Sequence, residues 1–316
     1  MDSIQGIYLV SVGLFLFSIQ DAIIKTFSDR YSILQIVFTR SVTAMIIIFT
    51  VMLVIAPRVA FSPYRPWPIL LKGSCAFLSY ICYYLAIAGL PLADAATITF
   101  SAPIMVTALS ALLFREQVGW RRWGAVLIGF VAIVLVVGPK GHVNNGFVLL
   151  ALASALTYAV STIITRYIDT RDTAITAAFY SMAAFLFWSI VVSIPVAFLL
   201  DENGGTSSAW AFLVRDWTHP TDLDQWLLVL LGFIASAGFY CLVKAYMVAE
   251  FSAVSPFEYL YIVWGAMFGF IIWGDVPSLP TVFGIVLLIS SNVYILHREM
   301  AMQAKIAFRR PKIPHR

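Results

Sequence analysis

The sequence predicts an all-α membrane protein, with ten transmembrane helices forming two inverted five-helix repeats and both termini cytoplasmic. Three observations carry this. The 316-residue chain is 61% hydrophobic and 11% charged, against about 25% charged in soluble domains, and its mean hydropathy is +0.91. Its apolar runs have the ~20-residue length that crosses a bilayer as a helix, not the alternating ~10-residue pattern of an outer-membrane barrel. The second half of the chain also repeats features of the first.

The candidate helices are 4–26, 32–54, 68–89, 93–114, 121–138, 146–167, 174–200, 226–249, 252–273 and 279–297. Turn or charge signals separate most of them, among them Asp29-Arg30, Pro57-Arg58, Gly89-Leu90-Pro91, Arg115-Glu116, Gly138-Pro139 and Gly274-Asp275. Asp2 stands where a signal peptide carries a basic residue, and the following apolar run is long with no clear cleavage site, so it is read as the first span. With ten spans both termini share a side. Of the 20 Lys and Arg residues, only Lys25, Arg30, Lys140 and Arg215 fall on the far side, and Arg40 and Lys244 fall within spans. Positive residues gather on the cytoplasmic side of membrane proteins, which puts the termini inside.

Other features are read in the same frame. Lys305, Arg309, Arg310, Lys312 and Arg316 make the tail basic; beside a span this marks topology and contact with anionic lipid rather than nucleic acid. Cys75, Cys82 and Cys241 are few and lie within spans, so neither a disulfide framework nor a metal site is expected. The one long loop, 201–225, contains an apolar run at 209–214 that is expected to lie along the membrane interface. Trp67, Trp120, Trp123, Trp226 and Trp273 near span ends read as interfacial anchors.

The internal repeat divides the chain into 1–140, 141–298 and a tail, 299–316. Gly6-Ile7-Tyr8 opens span 1 as Gly146-Phe147-Val148 opens span 6, and Phe38-Thr39-Arg40 lies opposite Phe179-Tyr180-Ser181. A shift of 159 places Ala86 on Ala245, Phe114 on Trp273 and Glu116 on Asp275. An odd number of spans per half inverts one half relative to the other, an arrangement that puts a transporter's site at the repeat interface.

The layout over about residues 4–298 resembles the drug/metabolite transporter superfamily, specifically its EamA-type branch. The residues that carry the resemblance are Phe38-Thr39-Arg40-Ser41, Thr97 to Pro103, Leu113-Phe114-Arg115-Glu116 with Gly124 and Gly129, and Trp273-Gly274-Asp275 with Gly284. Leu242 to Tyr246 and Ala253 to Tyr259 look like members assigned to S-adenosylmethionine or riboflavin uptake. The resemblance implies a bacterial inner-membrane carrier, with proton or counter-substrate coupling and a cavity lined mainly by spans 1, 3, 4, 6, 8 and 9. It also implies that spans 5 and 10 lie at the periphery and are candidates for a homodimer contact.

Charges inside a membrane are costly and usually face a bundle interior or a watery cavity. Lys244 and Glu258 therefore lead the site candidates. If the turn between spans 8 and 9 centres on Phe251, the two lie at similar depth. Their alternatives are a structural salt bridge, or a snorkelling Lys244. A carboxylate desolvated between helices also suits proton coupling. Asp21 and Arg40 form a second candidate pair, with Arg40 expected chiefly to fasten span 2 to span 1, and Gln20 expected to face another direction. Tyr83, Tyr84, Tyr158, Tyr240, Tyr259 and Trp264 are candidates for holding a flat or cationic group, or for ordinary packing. Pro103 and Pro256 are candidate hinges, since each removes a backbone hydrogen bond. Thr99 falls opposite Glu258 under the repeat shift, so the charged pairs are not duplicated.

No enzyme is expected: the four His lie in loops or at span ends, and no phosphate-binding Gly-rich loop or nucleophile elbow occurs. No cofactor is implied. A channel lacks a filter-like loop here. The expectation is a secondary transporter moving a small organic metabolite that is aromatic, cationic or zwitterionic. An efflux carrier, a channel and a membrane scaffold are the alternatives.

Overall fold

The structure is a computed structural model. It describes residues 2–55, 63–114, 145–164, 174–199, 208–248 and 255–290, with scattered positions within 123–135, 167–172 and 293–294. Among these residues there is no strand. The helices are α1 (Asp2–Phe27), α2 (Ile33–Ile55), α3 (Pro66–Ile87), α4 (Leu92–Thr99), α5 (Ala102–Phe114), α6 (Asn145–Ile164), α7 (Ala174–Leu199), α8 (Ser208–Val214), α9 (Asp222–Val248), a 3-10 turn (Ser255–Tyr259), α10 (Leu260–Trp273) and α11 (Leu279–Ser290). Six of them are long and apolar enough to cross a membrane. A segment in lipid must satisfy its own backbone, which a helix does internally. Large side chains left exposed, such as Ile46, Leu78, Leu156, Phe187, Phe233 and Phe270, suit a lipid surround.

Two spans differ from the expected continuous helices. The span expected at 93–114 is split into α4 and α5 at Phe100-Ser101. Pro103 has no N–H to give the Thr99 carbonyl, and the chain tightens there: Ser101 N–H donates to the Ile98 carbonyl at 3.1 Å and Ile104 N–H to the Ser101 carbonyl at 3.0 Å. The span expected at 252–273 begins, within the described residues, as a 3-10 turn containing Pro256 and becomes α-helical only at Leu260. It ends at Gly274, whose φ of 71° is the left-handed C-cap that glycine adopts most easily. The expected turn at Phe251 lies outside the described residues, as do the tail, the span 5–6 linker and Trp120.

The run at 209–214 is helical but does not lie free on the interface. In α8 Phe212 is fully buried in the main core and Val214 is buried, and Ser32 Oγ donates to the Leu213 carbonyl. Two large apolar side chains gain more from packing between helix ends than from a wet interface.

Helix pairing centres on α1 against α9 and α3 against α6, with α2 against α7 between them. The cross-pairs α2–α9 and α3–α7 complete the bundle, and α10 packs on α1 and α4. Close approach at two of these contacts requires glycine. A Cβ on Gly73 would stand 2.8 Å from Ala184 Cβ, and one on Gly232 would stand 2.4 Å from Thr43 Cβ and 3.0 Å from the Ala44 backbone nitrogen. Small residues at such crossings let membrane helices pack.

Arg40 is buried within the bundle. Its Nη1 donates to the Tyr84 hydroxyl at 3.2 Å, and its guanidinium lies over the Tyr80 ring, 4.8 Å from the centroid. Arg40 therefore fastens α2 to α3, where α1 had been expected. No ion pair among the described residues joins it to Asp21. The reason lies in the register of α3, which turns two tyrosines toward α2 and gives the cation a hydroxyl and a ring face.

Two stability measurements test this packing. Gly232→Ala is expected to lower the thermal unfolding midpoint of the purified protein, although alanine's helix propensity alone would add up to ~1 kcal/mol; an unchanged or raised midpoint would show that α2 and α9 have slack. Tyr84→Phe removes the acceptor shared by Arg40 and Gln20 and is expected to cost about 1–3 kcal/mol in the same assay.

Candidate functional site

Between the helices lies a half-open cavity of about 220 Å³. That is smaller than the ~300–1,000 Å³ typical of sites enclosing drug-sized ligands. From α1 it takes Leu14, Phe17, Gln20 and Asp21, which share one face at near-helical spacing. Ser79, Tyr80 and Tyr83 come from α3 on the same logic. The α4–α5 break brings in Thr99, Phe100 and Ala102; α6 supplies Ser154 and Tyr158, α9 supplies Leu242, and the span 9 region supplies Glu258 and Tyr261. The broken backbone of span 4 thus faces the cavity.

Asp21 anchors one end. It is 4% exposed, and its Oδ2 accepts from Tyr83 at 3.1 Å and from Tyr261. The two tyrosine hydroxyls lie 2.9 Å apart. Beside Asp21, Gln20 Nε2 donates to the Tyr84 hydroxyl at 2.9 Å, while Gln20 Oε1 is buried without a hydrogen-bond partner. Thr99 Oγ1 is in the same condition.

One helical turn past Asp21 the bundle is fastened again. Lys25 Nζ donates to the Leu90 carbonyl at 2.6 Å, stands 3.8 Å from Asp275 Oδ2 and lies over the Trp273 ring, 4.9 Å from its centroid. Trp273 is thus a seat for a cation as well as a residue at a span end. Of the other lining residues, Tyr158 is 51% exposed, and Glu258 is half-buried. Burial, two carboxylates and six aromatic rings give a space suited to a small organic solute with a flat part.

The sequence-derived candidates divide clearly. Asp21, Tyr83, Tyr158 and Glu258 line the cavity. Tyr84 and Arg40 form the layer behind its wall. Tyr259 packs against Phe100, which does line it, with ring centroids 5.8 Å apart. Trp264 meets Phe15 edge-on at 5.1 Å. Lys244 is not in the lining, and no ion pair among the described residues joins it to Glu258. The reason is helix phase: Leu242 faces the cavity, and two residues of α-helix turn about 200°, which carries Lys244 to the other side. Tyr240, two residues before Leu242, is 63% exposed on the outer face for the same reason.

Gln20, expected to face elsewhere, lines the cavity, because the space wraps round α1 far enough to reach neighbouring positions. Thr99, Tyr80 and Tyr261 line the cavity as well. The signal for Thr99 was its place opposite Glu258 under the repeat shift. Pro103 falls in the first turn of α5 and Pro256 in the 3-10 turn, both next to lining residues.

Comparison with known proteins gives the wider setting. The EamA-like transporter family matches residues 4–138 and 146–296. An S-adenosylmethionine uptake transporter of Rickettsia bellii is 26% identical over 95% of this chain and 98% of its own. A pseudopaline exporter, CntI, of Pseudomonas aeruginosa is 27% identical over 90% of this chain and 93% of its own. A riboflavin transporter of Rhizobium johnstonii is 26% identical over 78% of this chain and 76% of its own. A solved crystal structure superposes with a TM-score of 0.58 at 16% identity, covering 95% of this chain and 98% of that one, which shows the fold alone. The S-adenosylmethionine and riboflavin names are those to which the resemblance in spans 8 and 9 pointed. These are transporters rather than enzymes, and the chain, a multi-pass membrane protein, belongs to the EamA-like transporter family.

Proposed function

We propose that the protein is a secondary carrier of the bacterial inner membrane. It moves a small organic metabolite by alternating access between two inverted repeats, residues 1–140 and 141–298, with both termini and the basic tail cytoplasmic. One observation carries this: the cavity is lined by repeat-equivalent positions. A shift of 140 relates Leu14 to Ser154, and a shift of 159 relates Tyr83 to Leu242, Thr99 to Glu258 and Ala102 to Tyr261; all eight line the cavity. The glycine contacts support the same relation. The 159 shift relates Gly73 to Gly232, and the shift of 141 that aligns Phe38 with Phe179 relates Thr43 to Ala184, so each glycine meets the equivalent neighbour. A space on such an axis can be exposed to either side by rocking one half against the other.

On this reading the Lys25 contacts close the periplasmic end. They join Lys25 and the Leu90 carbonyl of the first repeat to Trp273 and Asp275 of the second. The exposed Tyr158 faces the cytoplasmic opening. Asp21, Glu258 and the tyrosine and phenylalanine rings contact the substrate, and Arg40 and Tyr84 hold the wall. Pro103 and Pro256, where two spans depart from α-helix beside the cavity, are the hinges. Lys244 and Tyr240 take no part in binding. The relatives' names span uptake and export, so transport in either direction is compatible with the frame. The apolar outer faces of the span 5 and span 10 regions, with Leu127, Val131 and Phe283 exposed, suit lipid or a second copy.

The test is counterflow in proteoliposomes with labelled S-adenosylmethionine, riboflavin, amino acids, quaternary amines and nucleosides. Saturable uptake accelerated by unlabelled solute on the opposite side is expected for one class. Non-saturating flux would mean a channel, and no flux of any solute would remove the carrier reading. Repeating the assay with and without a pH gradient separates proton coupling from exchange. Glu258→Gln is expected to raise the half-saturation concentration about tenfold, the scale of one hydrogen bond to a charged group, whereas Lys244→Met leaves it within about twofold.

A further inference from the structure

We infer that a cleft at one end of the bundle, between α2, α7 and residues 214–217, is a binding site for a phospholipid with an ethanolamine headgroup. It shares no lining residue with the substrate cavity, and the inference stands whatever that cavity carries.

The cleft has a volume of about 300 Å³. Its inner wall is Ser32 and Leu34 at the start of α2 and Val196 near the end of α7, all buried. Arg215, Asp216 and Trp217, just past α8, form another side. That segment is fastened to α2. Gln35 Nε2 donates to the Thr218 carbonyl at 2.6 Å, and its Oε1 accepts from the Thr218 N–H at 3.2 Å. Trp217 packs on the Phe38 ring with centroids 5.2 Å apart. Arg215 Nη1 donates to the Ser28 carbonyl at 2.9 Å, a neutral partner that holds the guanidinium in place. The walls are thus set by contacts among themselves and need no ligand to form.

The cleft opens onto a lipid-facing surface. Ile194, in its lining, is 57% exposed, and Phe187, Ile190 and Val191 are exposed as well. These four lie at i, i+3, i+4 and i+7 and so share one face of α7. The stripe runs about 10 Å from the cleft toward the middle of the helix, a path for an acyl chain that a water-soluble ligand would not use. The level also suits a headgroup, since the ends of two long apolar helices meet here beside a half-exposed tryptophan, the usual residue of a membrane interface.

Arg215 and Asp216 select the headgroup. A guanidinium matches the oxygens of a phosphate. Asp216 is exposed and makes no ion pair among the described residues. Side by side, the two residues present a cation and an anion at one cleft. A phosphoethanolamine group carries the complementary pair, a phosphodiester anion and a primary ammonium with three N–H donors. Phosphatidylglycerol offers no cation to Asp216, and the quaternary ammonium of phosphatidylcholine has no N–H to donate.

The test is native mass spectrometry of the purified full-length protein in detergent, titrated with dioleoyl phosphatidylethanolamine, phosphatidylglycerol and phosphatidylcholine. Phosphatidylethanolamine is expected to be retained about tenfold more tightly than either of the others, the scale of a hydrogen bond between charged groups. Arg215→Gln is expected to weaken all three about fivefold, the effect of one basic residue on lipid binding. Asp216→Asn changes an exposed side chain and is expected to bring phosphatidylethanolamine within about twofold of phosphatidylglycerol. Glycerophosphoethanolamine, the headgroup without acyl chains, is expected not to displace the lipid at equal concentration; displacement would mean a site for a soluble ligand and overturn the lipid assignment. Equal retention of the three lipids, preference for phosphatidylglycerol, no retained lipid, or an ethanolamine preference that survives Asp216→Asn would overturn it as well.

Discussion

A carboxylate buried between helices constrains everything packed around it. Asp21 is nearly inaccessible, and an ionisable group in that position needs partners or a cation. The structure supplies two hydroxyls, Tyr83 from α3 and Tyr261 from α10, on the same oxygen. Those two partners tie α1 to a helix near it in sequence and to one about 240 residues away. Arg40 then lies close enough for its charge to be felt, yet its direct contacts are Tyr84 and Tyr80. The carboxylate is stabilised without a direct salt bridge and keeps its place in the cavity wall. Lys25, one turn further along α1, repeats the pattern with Leu90, Trp273 and Asp275, so α1 is fastened to the second half of the chain twice within four residues.

Much of this was legible in the sequence because the bilayer imposes a strict length and an apolar composition. The long helices begin and end within a few residues of their expected limits. Asp21 and Glu258 stood out because charge is rare in such segments, and Tyr83 and Tyr158 because they share spans expected to line a cavity. Lys244 and Tyr240 stood out for the same reasons but sit on other faces of α9. Rarity gives depth and cost, whereas helix phase decides direction, and phase is difficult to assign in a helix that is apolar nearly all round. The hydrophobic stripe that orients a helix in a soluble protein is largely absent here.

What the sequence left hidden depends on irregular backbone. Pro103 read as a hinge candidate inside one continuous span. The consequence, two shorter helices meeting at Phe100-Ser101, is what turns Thr99 and Phe100 toward the cavity. Within helical segments threonine hydroxyls fold back on the helix; at the break Thr99 does not. Gln20 was hidden for a different reason. A polar residue beside a charged one on a helix is separated from it by about 100°, and only the width of the cavity decides whether both can face it. Phe212 in α8 was hidden because its partners come from distant parts of the chain.

The proposed repeat and the asymmetric chemistry of the site are complementary requirements. A carrier must hold two conformations of similar free energy, since a large gap would trap it in one. Equivalent contacts in the two halves, such as Gly73 with Ala184 and Gly232 with Thr43, favour that balance, because exchanging the roles of the halves trades like for like. Binding one kind of solute asks for the opposite, a set of groups that is not self-similar. The equivalent lining positions differ accordingly: Leu14 against Ser154, Tyr83 against Leu242, Thr99 against Glu258 and Ala102 against Tyr261. Each pair sets an apolar or neutral side chain against a polar or charged one. In the proposed repeat the packing surfaces keep the likeness that near-degeneracy needs, while the lining positions differ, as recognition of one kind of solute requires.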